Sequence, residues 1–296
     1  MPIRFLCLVA SAAAMAACSP AKPEPESTAP PVMAEAEIPA PAAVEADAAV
    51  MEFDAASLDT ILAAQDDSAK ARYQYRNPKE TLEFFGIAPG MAVGEALPGG
   101  GWYSKILLPY LGDDGRLVGV DYDLDLWPNF NFGTDEFIEG KKGWPDTWVA
   151  DASGWTDSAV DIEAYTFATL PQDGSLDAFL FIRALHNMAR FEDAKFMDSG
   201  IASVYGALKP GGIVGVVQHA GADDADPEWA DGNAGYLRKP DVIAAFEAAG
   251  FELVAQSDIN VNPLDMPTTD DVVWRLPDFP EIGESNRMTL RFRKPV

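Results

Sequence analysis

Met-Ala-Val-Gly-Glu-Ala-Leu-Pro-Gly-Gly-Gly, residues 91–101, is the stretch of sequence that decides the fold. Its apolar first half predicts a β-strand ending at Ala96. The glycines that follow allow the backbone to approach a ligand closely. A helix is predicted directly afterwards, because apolar residues recur on one helical face at Tyr103, Ile106, Leu107, Tyr110 and Leu111. The predicted unit is a strand, a glycine-rich loop and a helix whose first N–H groups face a polar ligand. The alternative is a glycine-rich turn that binds no ligand.

Strands and helices alternate on the carboxyl side of this unit. Strands are predicted at 116–120, 164–167, 177–182, 213–217, 251–259 and 289–293, and helices at 191–208 and 240–249. Residues 124–161 are predicted to hold a helix and an insertion. The pattern predicts an α/β fold with a Rossmann-like, doubly wound, mainly parallel seven-stranded sheet. The last two strands, joined by a proline-rich excursion, suit an antiparallel edge strand.

Two helices are predicted before the unit. One begins at Ser57, with Leu58, Ile61 and Leu62 on one face. The next opens at Asn77-Pro78-Lys79-Glu80, where the spacing between Asn77 and Glu80 predicts a capping box.

The amino-terminal residues have the pattern of a secretory signal peptide. A basic residue, Arg4, precedes a short apolar run and small residues up to Ala17. Met15-Ala16-Ala17-Cys18 resembles the lipobox of bacterial lipoproteins, which implies cleavage before Cys18 and acylation of its thiol. The alternative is an ordinary signal peptide that leaves Cys18 as a free thiol.

The predicted domain organisation follows from composition. Residues 1–17 are the signal peptide, and residues 18–56 are the lipidated Cys18 with a disordered linker rich in proline, alanine and glutamate. Residues 57–296 form one α/β domain. Ser19 follows Cys18 where some lipoproteins carry an aspartate retention signal, so the resemblance implies the periplasmic face of the outer membrane.

Charge excludes one class of partner. The chain carries 21 lysine and arginine residues against 47 aspartate and glutamate residues, a net charge of −26, and no basic cluster. Nucleic acids need clustered cations to neutralise their phosphates, so they are not expected as substrates. The acidity would also repel anionic lipid, which leaves the anchor as the expected membrane contact.

Asp121 is the second indicator of a ligand site. It ends the second predicted strand, 20 residues after Gly101, where an acid can hold both ribose hydroxyls of a nucleoside-containing cofactor. A dinucleotide and S-adenosylmethionine are the two candidates. The dinucleotide pattern needs a small third residue, for which Ser104 is poor. Tyr205 and Lys209 have dehydrogenase spacing, but Pro-Gly-Gly follows Lys209, so we interpret the match as chance.

Longer segments resemble a family of bacterial predicted class I S-adenosylmethionine-dependent methyltransferases, many with export signals. They are RNPKETLEFFGIAPGM (76–91), PGGGWYSKILLPYL (98–111), RALHNM (183–188) and GFELVAQSDINVNP (250–263), together with LKPGG (208–212). The resemblance spans roughly residues 71–295. It implies the class I methyltransferase fold and S-adenosylmethionine as the cofactor.

Site residues transfer from the family position by position. The resemblance implies that Glu95 contacts the methionine end of the cofactor and that Asp121 holds the ribose. Gly99, Gly100 and Gly101 form the loop facing the cofactor. Two positions depart from the family pattern: Leu97 replaces its first glycine, and Thr166 replaces the acid that commonly reads the adenine amino group.

The chain's two histidines follow neighbouring predicted strands. His186 comes after strand four and His219 after strand five, at the edge where ligands of open α/β sheets bind. We predict His186, Asn187 and His219 as catalytic residues and Arg183 as an anchor for an anionic substrate group. The alternative is that the histidines hydrogen-bond to loop backbone. No ligand spacing supports a metal site.

These observations predict a methyltransferase acting on a small-molecule acceptor. The alternative is a catalytically inactive ligand-binding or scaffold lipoprotein that keeps the fold, because fold alone does not establish activity. Export favours the alternative, since S-adenosylmethionine is not expected to be plentiful outside the cytoplasm. A dehydrogenase is the third and weakest hypothesis.

Overall fold

A computed structural model describes residues 51–296. The predicted signal peptide, Cys18 and the linker up to residue 50 lie outside the described residues. None of the helices in the described part of the chain is long and apolar enough to span a bilayer.

The described residues form ten α-helices and seven strands. The helices are α1 (Ala55–Ala64), α2 (Asp67–Lys70), α3 (Tyr73–Arg76), α4 (Pro78–Phe85), α5 (Ser104–Leu111), α6 (Asp135–Lys142), α7 (Trp144–Ser153), α8 (Leu185–Ala189), α9 (Lys195–Ala207) and α10 (Lys239–Ala248). The strands are β1 (Ala92–Ala96), β2 (Arg116–Asp121), β3 (Asp161–Thr166), β4 (Leu176–Ile182), β5 (Leu208–His219), β6 (Glu252–Ser257) and β7 (Arg287–Arg293). Short 3₁₀ helices occur at Trp127–Asn129, Glu192–Ala194 and Val273–Asp278.

The seven strands form one sheet in the order β3-β2-β1-β4-β5-β7-β6. β1 to β5 are parallel, and β7 runs antiparallel to both β5 and β6. The predicted fold class is confirmed: a doubly wound, mainly parallel seven-stranded α/β sheet with an antiparallel element at one edge.

Alternate residues of each central strand supply the two faces of the sheet. In β4, Phe179 and Phe181 join one buried cluster with α9 and α10, whereas Leu180 joins the other with α1, α4 and α5. This alternation is the two-residue period of a strand covered on both faces. The helices cover both faces of the sheet, so the ends of the strands remain available for a ligand site.

Two local expectations are corrected. Asn77 is in the left-handed region (φ 40°) and does not cap α4; its amide donates to the carbonyl of Ile259, 2.7 Å away, so a tertiary contact replaces the capping box. β5 starts at Leu208 rather than at residue 213, because Lys294 exchanges backbone hydrogen bonds with Gly211 and Gly212.

The folded domain also begins earlier than residue 57. Asp54 caps α1 by accepting from the N–H groups of Ala56 and Ser57 at 3.1 and 3.0 Å. Its own N–H donates to the hydroxyl of Tyr110, against which Phe53 also packs. The capping aspartate therefore moves the boundary into the predicted linker.

Candidate functional site

The predicted site residues lie at or just after the carboxyl ends of the parallel strands, at one edge of the sheet. The N–H of Leu97 donates to the carbonyl of Val120 at 2.7 Å, so the loop after β1 lies beside the end of β2. The N–H of Arg183 donates to Val217 at the same distance. Both loops therefore open at the carboxyl ends of the parallel strands, where ligands bind in this kind of sheet.

Glu95 is a buried carboxyl group near the end of β1. Its side chain accepts a hydrogen bond of 2.6 Å from the hydroxyl of Ser104, the first residue of α5. Burial raises the pKa of Glu95 to about 7, although the bond from Ser104 opposes the rise. The carboxyl group is therefore part protonated near neutral pH, and a cation beside it would favour the ionised form.

Leu97 has a backbone conformation that normally selects glycine. Its φ is 48°, in the left-handed region. Leu97 stands where the pattern described above has a glycine, which would adopt this conformation without strain. Non-glycine residues held in this region are strained by about 1–3 kcal/mol.

Substituting Leu97 tests this strain. Both Leu97→Gly and Leu97→Ala remove the packing of the side chain, but only glycine relieves the backbone. We expect Leu97→Gly to unfold at higher urea concentration than Leu97→Ala, with a difference in unfolding free energy of about 1 kcal/mol. At Leu253, which lies in β6 without positive φ, the order should be reversed. Equal stability of the two Leu97 variants would contradict the strain.

The three predicted loop glycines differ in their surroundings. A side chain at Gly100 would meet nothing within 4 Å, and one at Gly99 would meet only a carbonyl oxygen at 3.8 Å. A Cβ at Gly101, where φ is 75°, would lie 2.3 Å from the ring of Trp155. Gly99 and Gly100 are therefore open to a ligand, whereas this side of Gly101 packs against protein.

Asp121 is buried at the end of β2 and is already ion-paired. Its Oδ2 atom lies 2.8 Å from Nζ of Lys141, and its Oδ1 atom accepts from the N–H of Tyr122 at 2.8 Å. Burial raises the pKa of Asp121, while Lys141 acts against the rise. Lys141 lies on α6, and its Nζ atom stands 4.2 Å from the ring centre of Trp127. The insertion between β2 and β3 thus supplies a cation to the predicted ribose-binding acid.

A first cavity opens among the ends of β2 and β3 and α6; Asp121, Glu95 and the loop glycines are not among its lining residues. Its volume is about 510 Å³, and its lining includes Asp123, Lys141 and Thr166. The size is within the range of small-molecule sites. Thr166 pairs in register with Asp121, so the position predicted to read adenine opens into this cavity.

The two histidines lie close together on the other side of the edge. Their ring centres are 5.2 Å apart, and Nδ1 of His219 is 2.5 Å from the hydroxyl oxygen of Ser285. Burial lowers the pKa of His186 to about 4, and burial with His186 nearby lowers that of His219 well below its usual value. Both rings are therefore neutral near pH 7.

A second cavity of about 410 Å³ opens beside His219. Arg183 and His219 line it, together with Arg72, Glu284 and Ser285. His186 and Asn187, also predicted as catalytic, are not among its lining residues. The Asn187 amide lies 3.4 Å from the hydroxyl of Tyr122, on the β2 side of the edge.

Sequence reasoning missed several residues of this second cavity. Arg72 precedes α3, and Glu284 and Ser285 lie in the loop before β7, so 212 residues separate Arg72 from Glu284. No local motif marks these positions. None of the sequence segments that carry the resemblance includes Arg72, Glu284 or Ser285.

No protein-family model matches the chain, and no curated protein matches it in sequence.

Solved structures with a similar fold include several methyltransferases. A SAM-dependent methyltransferase from Aquifex aeolicus is 15% identical, with coverage of 82% of this chain and 99% of that chain and a TM-score of 0.46. The putative methyltransferase in the complex with the Haloferax volcanii Trm112 activator is 19% identical, with 81% and 98% covered and a TM-score of 0.48.

A Burkholderia thailandensis 1,6-didemethyltoxoflavin-N1-methyltransferase, solved with that compound and S-adenosylhomocysteine, is 16% identical. The match covers 78% of this chain and 82% of that one, with a TM-score of 0.46. At these identities the activity of the chain has to be argued from its own residues.

Proposed function

We propose that the domain is an S-adenosylmethionine-dependent methyltransferase acting on a small-molecule acceptor. One observation carries the proposal: two buried carboxyl groups, Glu95 and Asp121, lie at the ends of adjacent parallel strands, next to the open backbone of Gly99 and Gly100. A cofactor with a cationic end and a ribose matches this pair of acids.

The residues present fit such a cofactor. Glu95 would hold its methionine end, Asp121 its ribose, and the cavity at Thr166 its adenine. When bound, the cofactor would supply an activated methyl group on a positively charged sulfur. The protein's contribution is to align the acceptor with that methyl group. Neutral His219, which lines the second cavity, would accept a hydrogen bond or a proton from an acceptor there, as a weak base.

A dinucleotide fits the loop less well. The third position of its glycine pattern is Ser104, which is buried and hydrogen-bonded to Glu95. A polar, hydrogen-bonded side chain therefore stands where the pattern has glycine or alanine for close packing of helix and strand.

Ligand titrations test the cofactor. Thermal unfolding of the purified protein should shift upwards with S-adenosylmethionine and S-adenosylhomocysteine but not with NAD. A ligand at about 100 times its Kd stabilises a fold by about 2.7 kcal/mol, which is readily measured. No shift with either adenosyl compound at millimolar concentration would overturn the proposal.

The pH dependence of binding provides a sharper test of Glu95. Its folded pKa lies near 7, and a cation bound beside it favours the ionised form, so binding releases a proton below that pH. We expect the Kd for S-adenosylmethionine to fall by up to about tenfold per pH unit as pH rises to about 7, and then to level off. In Glu95→Gln this rise in affinity should disappear; an unchanged pH profile would argue against contact with Glu95.

A catalytically inactive binding or scaffold protein is the second candidate. The ion pair between Lys141 and Asp121 and the strained Leu97 favour it, because both occupy positions that a cofactor would use. Saturable binding of both adenosyl compounds without formation of S-adenosylhomocysteine from S-adenosylmethionine across an acceptor panel would support this alternative.

We also propose that the protein is exported and tethered by a lipid on Cys18 to the periplasmic face of an outer membrane. The sequence Met15-Ala16-Ala17-Cys18 and the acidic, proline-rich residues after it support this. Cells expressing the chain should incorporate radiolabelled palmitate into the protein, and Cys18→Ser should abolish the label. Label retained in Cys18→Ser would rule out this anchor.

A further inference from the structure

The second cavity borders an unusual concentration of positive charge. Arg72, Arg76 and Arg287 all pair with one carboxylate, Glu284, at distances of 2.7, 3.0 and 3.1 Å. Arg183 is the fourth arginine of this group and lines the cavity. Four guanidinium groups around one carboxylate leave an excess of three positive charges, although the chain carries a net charge of −26.

Arg183 lacks a side-chain partner within residues 51–296. Its guanidinium makes no hydrogen bond there, and its Nε atom is buried. Arg76 and Arg287, in contrast, are held by Glu284, and Arg287 also donates to backbone carbonyls. Glu284 acts on Arg183 electrostatically but forms no ion pair with it within residues 51–296, so Arg183 is the guanidinium whose donors remain available to a further partner.

The backbone of Arg183 has the second feature of a ligand-binding position. Its φ is 58°, in the left-handed region, and the hydrogen bond from its N–H to Val217 holds it there. Such strain is concentrated at functional sites, where it fixes a side chain that would otherwise turn away.

The other lining residues of the second cavity indicate the chemistry of the rest of the ligand. Besides the arginines, the cavity is lined by Val273, Trp274, Leu276 and Pro277 of the 3₁₀ segment. Its wall therefore combines cationic and apolar side chains, and about 410 Å³ suffices for a small organic molecule.

We propose that this cavity binds an organic oxyanion, a carboxylate or phosphate on an apolar or aromatic body, through Arg183 and Arg72. Arginine pairs with such groups through two parallel N–H bonds, and the apolar body lies against Trp274. Binding itself is independent of the proposed function. Only the further step, that this anion is the methyl acceptor, rests on it.

Calorimetric titration of the whole protein with matched ligands tests the site. Phenylacetate and phenyl phosphate should bind, and phenylacetamide, the uncharged counterpart of phenylacetate, should bind at least about tenfold more weakly. Inorganic phosphate should bind more weakly than phenyl phosphate, because it leaves the apolar wall bare. The assignment would be overturned if phenylacetate bound no better than phenylacetamide, or if phenyl phosphate bound no better than inorganic phosphate. It would also be overturned if neither aromatic anion bound at millimolar concentration.

Substitutions of the two arginines test whether these side chains bind the anion. Arg183→Gln should weaken phenylacetate binding at least about tenfold without lowering the stability of the free protein, since it removes an uncompensated charge. Arg72→Gln changes a half-exposed side chain and should act in the same direction. Arg293→Gln, which breaks an exposed pair with Glu252, is the control and should bind normally. Unchanged binding in both Arg183→Gln and Arg72→Gln would overturn the proposal.

The proposed methyltransferase function and the proposed anion site can be overturned independently of each other. Anion binding that persists when S-adenosylmethionine does not bind would overturn the proposed function alone. Binding of S-adenosylmethionine without anion binding would overturn this site alone.

Discussion

Replacing Glu284 with alanine is expected to lower the free energy of unfolding by about 3–5 kcal/mol, because it removes the common counter-charge of a buried ion group. Glu284 is 8% exposed and pairs with Arg72, Arg76 and Arg287. Without it, Arg76 and Arg287 remain buried with no carboxylate. The midpoint of thermal unfolding should fall by roughly 10 °C.

The pKa of Glu284 sets the pH range in which this loss of stability is expected. Burial raises this pKa, but Arg76 and Arg287 outweigh burial and hold it below the usual 4.5. A carboxyl group whose folded pKa is depressed stabilises the fold above its unfolded pKa, and this contribution is lost as pH falls through the folded value. The stability gap between the wild type and Glu284→Ala should therefore be constant above about pH 5 and shrink on acidification.

Glu252→Ala is the matched control, since Glu252 forms one exposed pair with Arg293. Its loss should change stability by at most about 1 kcal/mol. A loss of similar size in the two variants would contradict a special role for the buried group.

Replacing Asp121 with asparagine is expected to weaken the binding of S-adenosylmethionine strongly. If Asp121 holds both ribose hydroxyls, the neutral variant weakens two hydrogen bonds to a charged group, each worth about 1.5–3 kcal/mol. The Kd for S-adenosylmethionine should rise by about 100-fold or more. Calorimetry measures this directly, and Asp113→Asn, in the loop after α5 at the opposite edge of the sheet, should leave it unchanged.

Lys141 supplies a complementary variant. Because its ammonium group occupies Oδ2 of Asp121, Lys141→Met should lower the stability of the free protein but tighten S-adenosylmethionine binding. Lys195→Met, which breaks an exposed pair with Glu192 and lies outside the first cavity, is the control. Weaker binding in Lys141→Met would indicate that Lys141 contacts the ligand instead of competing with it.

The sequence predicted the parts of the fold that depend on local pattern. The apolar stretches of β1 and β4 and the glycine loop before α5 identify the sheet without reference to distant residues. The structure differs where tertiary contacts decide: Asn77 bonds to Ile259 instead of capping α4, and hydrogen bonds with Lys294 extend β5 back to Leu208.

The site was predictable to a similar degree. Residues just after strands, such as Asp121 and Arg183, could be placed at the ligand-binding edge from their order in the chain. Their partners could not, because Lys141 comes from an insertion without a readable pattern and Glu284 lies near the far end of the chain. The roles of the predicted residues remain predictions for the experiments above.

The contrast between the arginine group and the acidic chain has a kinetic consequence. At physiological ionic strength charges act over about 8 Å, so an anion approaching from solution meets repulsion from the acidic surface before it reaches Arg183. A positively charged ligand is instead drawn in along its whole path. The two cavities therefore differ in encounter rate as well as in charge: cations arrive quickly at the Asp121 side, and anions arrive slowly at the Arg183 side but are retained once they pass the entrance.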